Sequence, residues 1–282
     1  MEAVAATASP SDAQLGARTL VGDQQALLSL YEAHFGAVYD FALRVVRDGP
    51  LAAHVAETAF ARVRKAAGDF GEAPLFALAR VCALDALHDR ARARPADLPE
   101  REGHQFTQMD AQRLSDPSAV LFDRELIELV WDSAAALTPD EYSLLDLHIR
   151  HDLTVEELAY HCGLNGSAST RLSRLCRGLD DAVISTLVVT RWRKSCARLD
   201  LALSDLEDPG ADKIRLVVRQ HVRECEQCRE SEQRFVSPTE VFGGFAAIPA
   251  PPRLRRDLLK RLNRPEPREH SSRLRRLTFG IL

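Results

Sequence analysis

The chain has 282 residues, 45% of them hydrophobic and 28% charged, which is apolar enough for two or three small cores and too apolar for a wholly disordered polymer. Aromatics make up only 6% while Leu and Ala recur throughout, favouring helices over a sandwich or barrel. The formal charge of −4 argues against indiscriminate nucleic-acid binding, yet residues 251–282 carry ten Lys/Arg against three Asp/Glu, leaving −11 for the rest. No stretch approaches the ~18 apolar residues of a membrane span. The first ten residues lack the basic start and apolar run of a secretory signal, so the expected location is cytoplasmic.

Residues 1–22 are small, polar and aperiodic and read as a loose leader. From Leu28 the apolar positions Tyr31, Phe35, Val38, Ala42 and Val45 recur at steps of three and four, one buried face of a helix. Asp48-Gly49-Pro50 breaks it. A second helix through Val55, Phe60 and Val63 and a third over about 74–92 complete a helical domain at residues 23–94. Residues 95–118 are polar and hold three prolines, an interdomain linker.

The domain at 119–190 opens with Leu121, Ile127, Val130, Trp131 and Ala134 at helical spacing. Thr138-Pro139-Asp140-Glu141 then carries a capping box: the Thr hydroxyl accepts from the third backbone N–H, and Glu141 reaches back to the cap. Thr154-Val155-Glu156-Glu157 repeats it sixteen residues later, leaving room for a short helix over about 139–150 and a tight turn. The helix begun at Thr154 ends at Cys162-Gly163, and a glycine-containing turn leads into a helix over about 167–179 with Ala168, Leu172, Leu175 and Leu179 inward. Helix, glycine turn, helix is the helix-turn-helix layout. Ser169, Thr170, Arg171, Arg174 and Arg177 stand on its outer side, where arginines pair with phosphates or fork onto guanine edges. A basic stripe alone is more often a solvated face; the two boxes framing the turn favour DNA contact.

Together these two domains resemble the small two-domain bacterial sigma factors of the extracytoplasmic-function type, over about half of the chain. Leu51-Ala52-Ala53-His54-Val55-Ala56-Glu57-Thr58-Ala59-Phe60 is similar to the family's run that docks on the polymerase clamp. The resemblance implies that His54, Glu57, Thr58 and Phe60 contact core RNA polymerase. It also implies that the helix-turn-helix binds promoter DNA. There are departures. His54 stands where an Asp is usual, Ser169 where a Lys is common, and Pro74 and Val81 where the promoter-melting helix carries Trp and Asn, leaving Phe76 as the aromatic for base stacking.

His221-Val222-Arg223-Glu224-Cys225-Glu226-Gln227-Cys228 is a His-x3-Cys-x2-Cys run; on one helix its three donors share a face and converge on an ion. Zinc takes four such ligands, thiolate and imidazole, in a tetrahedron. Cys196 is the natural fourth, with Glu224 as the alternative. The segment 191–235 resembles the zinc-binding anti-sigma domain, which implies Zn2+, one ion per chain, in a structural or a redox-sensing role. Cys82, Cys162 and Cys176 read as core residues, each alone in a helical stretch. Residues 236–282 form a basic tail with a short amphipathic helix at 254–262, suited to nucleic acid, an acidic surface of its own chain, or nothing.

No phosphate loop, nucleophile elbow or paired hydrolase histidines occur, so an enzyme is not expected. The expectation is an all-α chain with two small helical domains, the second a helix-turn-helix, joined by a linker, plus a small helical zinc module. Its partners would be RNA polymerase core, promoter DNA and a regulatory or anti-sigma protein. The module would mask a binding surface in cis or only stabilise the C-terminal half. The rival is a non-initiating DNA-binding or anti-sigma-like regulator with a zinc or redox partner site.

Overall fold

The computed structural model describes residues 24–65, 72–93, 124–164, 166–206, 210–232 and 236–262. The expected leader, the linker and residues 263–282 of the basic tail lie outside them. Among the described residues the fold is all-α, twelve α-helices and no strand. None of these helices is long and apolar enough to cross a membrane.

The first bundle is α1 (Gln24–Val46), α2 (Gly49–Lys65) and α3 (Glu72–Arg92), each packed on the other two. The expected face of α1 is buried: Tyr31, Phe35, Val38, Ala42 and Val45 all lie in the core. Asp48-Gly49-Pro50 not only ends α1 but starts α2, because the Asp48 carboxylate accepts the Leu51 N–H at 2.9 Å and Pro50 fills the first turn.

The second bundle holds α4 (Arg124–Ala135), α5 (Pro139–Ile149), α6 (Val155–His161) and α7 (Ala168–Leu187). Both capping boxes form as read: Thr138 and Glu141 close the start of α5, Thr154 and Glu157 that of α6. Gly163 and Gly166, both at φ 68°, supply the left-handed backbone of the turn before α7. α7 outruns its expected end near Leu179 by eight residues. Val183 and Leu187 continue the buried face of Leu172, Leu175 and Leu179 at the same spacing, so nothing stops the helix there.

After a π-helical turn (Val188–Trp192) and a 3-10 turn (Arg193–Ser195) come α8 (Ala197–Ser204), α9 (Ala211–Glu224) and α10 (Glu226–Glu232). These surround a small core of their own, built on Val188, Leu199, Leu203, Val218 and Val222. Then α11 (Pro238–Gly243) packs on α4, α5 and α7, and α12 (Pro252–Leu262) on α1 and α2. The start of the segment read as a tail is therefore core: Val241, Phe242, Ile248, Leu258 and Leu262 bury in the same cluster as the two bundles.

A buried ionic network ties the three parts. Asp40 and Arg44 of α1 pair with each other, Asp40 also with Arg150 at 2.7 Å, and Arg150 with Asp146 of α5 at 3.0 Å. The connector between α11 and α12 joins in: Ala246 O accepts from Arg44 at 2.7 Å, and Ile248 N–H donates to Asp40 at 2.8 Å. Burial opposes the charge on Asp146, but Arg150 and then His151 outweigh it and hold its carboxyl below the ordinary value. Arg44 Nη1, Tyr142 OH and Arg150 Nε are left without hydrogen-bond partners. A partly satisfied buried network contributes little net stability while one with a missing partner is costly, so it fixes register more than it adds strength.

Candidate functional site

Cys196 sits in extended backbone (φ −127°, ψ 100°) just before α8, His221 in the last turn of α9, and Cys228 within α10. Cys225 is the joint between α9 and α10, with φ −108° and ψ 113°. The expected single helix face is thus not what gathers His221, Cys225 and Cys228. The helix breaks at Cys225, and the break turns Cys228 back toward α9.

All four side chains are buried, and their ligand atoms lie within 4.8 Å of one another. Cys196 Sγ is 3.3 Å from His221 Nε2 and 4.0 Å from Cys225 Sγ. A tetrahedral ion with Zn–S ~2.3 Å and Zn–N ~2.0 Å needs edges of ~3.8 Å between sulfurs and ~3.5 Å from sulfur to nitrogen. The group therefore fits a metal ion such as zinc. Glu224, the alternative fourth donor, is exposed and accepts from Gln220 at 3.1 Å, so Cys196 completes the set.

The electrostatics suit a cation. Backbone N–H of Cys228, assisted by the neighbouring thiols and the N–H of Gln227, lowers the Cys225 thiol against the effect of its burial. Burial, reinforced by Cys196 and Cys225, pushes the Cys228 thiol up to about 12. His221 is lowered by burial and then by Arg198, keeping the imidazole in its ligating neutral form. Three sulfurs at this range disfavour each other as thiolates unless a positive ion sits between them. The remaining thiols are as read: Cys82 is buried, and Cys162 and Cys176 pack against the main core.

On the helix-turn-helix, Ser169, Thr170, Arg174 and Arg177 are exposed along the outer side of α7. Arg171 is different. It pairs with Asp140 at the start of α5, and the same carboxylate takes Arg80 from α3. One acid thus bridges the basic stripe to the first bundle, and α3 also packs on α6. The Arg80 side is the more buried, its Nε donating to Ser143 at 3.0 Å.

On α2, His54 is exposed while Glu57 and Thr58 are half-buried. Phe60 points inward, fully buried, with its ring 5.0 Å from Tyr31; it builds the domain and cannot touch a partner. Both oxygens of Glu57 accept from Arg261 of α12 at 2.8 Å. Tyr31 OH donates to Arg255 O at 2.8 Å beside them. Of the three options open for the tail, 236–262 takes its own chain. The Arg261 contact had a faint sequence signal, a basic amphipathic helix in an otherwise acidic protein. Phe76, the aromatic proposed for base stacking, is also buried, 4.1 Å from the His151 ring and edge-on to Phe41. No protein-family profile, curated protein or solved structure matches the chain.

Proposed function

We propose that this chain is a sigma-factor-like transcription initiation factor that binds core RNA polymerase and promoter DNA and is restrained in cis by its own C-terminal third. The observation that carries the DNA reading is α7, a helix set behind a two-glycine turn by two complete capping boxes, with Ser169, Thr170, Arg174 and Arg177 in solvent. The restraint rests on one contact: Arg261 of the C-terminal third covers Glu57 on the face assigned to polymerase. Zinc is the ion we assign to Cys196, His221, Cys225 and Cys228, bound structurally. It would hold α8 to α9 and α10, whose core is too small to stand alone.

The second reading, a regulator that binds DNA or polymerase without opening promoters, is favoured by Phe76 facing the core. Reconstituted transcription with core polymerase separates the two. Run-off product from an added promoter supports initiation. Polymerase binding without product on any supercoiled template supports the regulator, and no binding to polymerase refutes initiation and leaves only a regulator that acts through DNA.

A further inference from the structure

α7 and α9 touch without closing on one another, and a cleft of about 620 Å³ remains between them. Its walls carry Arg174 and Arg177 from α7, and Arg219 and Arg223 from α9. These four arginines have different duties. Arg219 crosses the cleft to Asp181 of α7 and pins the two helices together. Arg177 Nε donates back to Ser173 O at 3.0 Å, leaving its outer nitrogens to solvent. Arg174 and Arg223 are exposed and make no ion pair among the described residues. Asp181 is already neutralised, and among the described residues the only other acid on the walls is Glu232, contributed by α10.

Gly178 lies on the same wall, in the middle of α7. A glycine inside a helix lowers its stability relative to alanine. Packing does not call for it here, because a Cβ built at Gly178 meets nothing within 4 Å. The folded chain has room for a side chain that the sequence withholds. An approaching ligand that needs the backbone bare is the other standard use of glycine.

We infer that the α7–α9 cleft seats the phosphate backbone of duplex DNA, continuing the contact begun at Ser169 and Thr170. The module that holds the metal cluster is then half of the DNA interface. This rests on the reading of α7 as the DNA-contacting helix. A recognition helix presents its first residues to the base edges, while residues one to three turns later meet the flanking strand. Arg177 follows Ser169 by eight residues, roughly 12 Å along the axis, which is the span from groove to backbone. Arg223 supplies the opposite wall, and Glu232 repels phosphate. All of these groups are accessible with the bundles packed as they are, so binding requires no opening.

The test is a fluorescence-anisotropy salt titration of the full, metal-loaded chain on a 30-base-pair duplex. Arg223→Ala should weaken binding several-fold and reduce the salt slope by about one, the signature of one lost phosphate contact. Glu232→Gln should tighten binding. Gly178→Ala should raise the melting temperature yet weaken binding, a combination that damage to the fold cannot produce. If Thr170→Ala, outside the cleft, weakens binding while the three cleft variants bind as wild type, the cleft is a solvated groove and only the inference falls. If the wild-type chain binds no duplex, or no variant on either helix changes it, the DNA reading falls as well.

Discussion

Replacing Leu258 with alanine should release α12 from the first bundle without unfolding that bundle. Leu258 is 2% exposed and, with Leu262, supplies the fully buried part of the contact, flanked by the partly buried Leu254 and Leu259. Removing a buried leucine side chain costs about 2–5 kcal/mol, and the lower half applies where the site lies at the rim of a core and can collapse. A loss of about 2–3 kcal/mol shifts the docked-to-released equilibrium by roughly 30- to 150-fold. What remains is Leu262 with the partly buried Leu254 and Leu259, the Tyr31–Arg255 hydrogen bond, at about 1 kcal/mol, the longer Arg255–Glu32 O contact, and the solvent-screened Arg261–Glu57 pair. These have to order an eleven-residue helix on their own. Hydrogen exchange should accelerate across 252–262 while α1 and α3 keep their protection. Affinity for core polymerase should rise by up to the same factor, since the apparent constant scales with the competent fraction. Faster exchange through all of α1–α3 would mean that α12 is an integral part of the bundle. Release of α12 with no gain in polymerase affinity would refute masking at Glu57.

Cys225→Ser should lose most of the one bound metal ion per chain, measured by elemental analysis after gel filtration; a wild-type protein purified without chelator and found ion-free would end the metal assignment. Chelation should loosen α8–α10 but leave the main core intact, because the two clusters do not share buried residues; exchange mass spectrometry resolves the two regions. For Asp146 the folded pKa lies below its unfolded value of about 3.9, so its contribution is complete above that pH and is lost as pH falls through the depressed folded value. Acid titration followed by circular dichroism should therefore show a steep limb below about pH 4, and Asp146→Asn should flatten it while lowering stability at neutral pH. Thr154→Ala should cost about 1 kcal/mol in denaturant melts by removing one half of the capping box of α6; no change would mean that this helix start is held by packing alone.

Signals acting within one or two helical turns were legible in the sequence. The three- and four-residue spacing of Tyr31, Phe35, Val38, Ala42 and Val45 fixed α1 and its buried side. Thr138 with Glu141 and Thr154 with Glu157 fixed the starts of α5 and α6, because both partners of each box lie three residues apart. That Cys196, His221, Cys225 and Cys228 would gather into a group able to hold a metal ion was legible too, since thiol and imidazole donors are chemically distinctive wherever they fall. The manner of their convergence was not. Periodicity put His221, Cys225 and Cys228 on one helix, whereas the chain breaks at Cys225.

The same limit hid which members of an amphipathic helix face inward at its edges. Phe60 and Phe76 sit within runs that read as contact surfaces, yet both rings fill the core, where burying an aromatic outweighs leaving it for a partner. Tyr31 with Arg255 and Asp40 with Ile248 meet across more than two hundred residues. No local pattern encodes such pairs, because each half satisfies its own helix equally well without the other. Whether residues 236–262 trail in solvent or strap the two bundles together is decided by the apolar surface those bundles leave uncovered once they have folded, and that surface exists only in three dimensions.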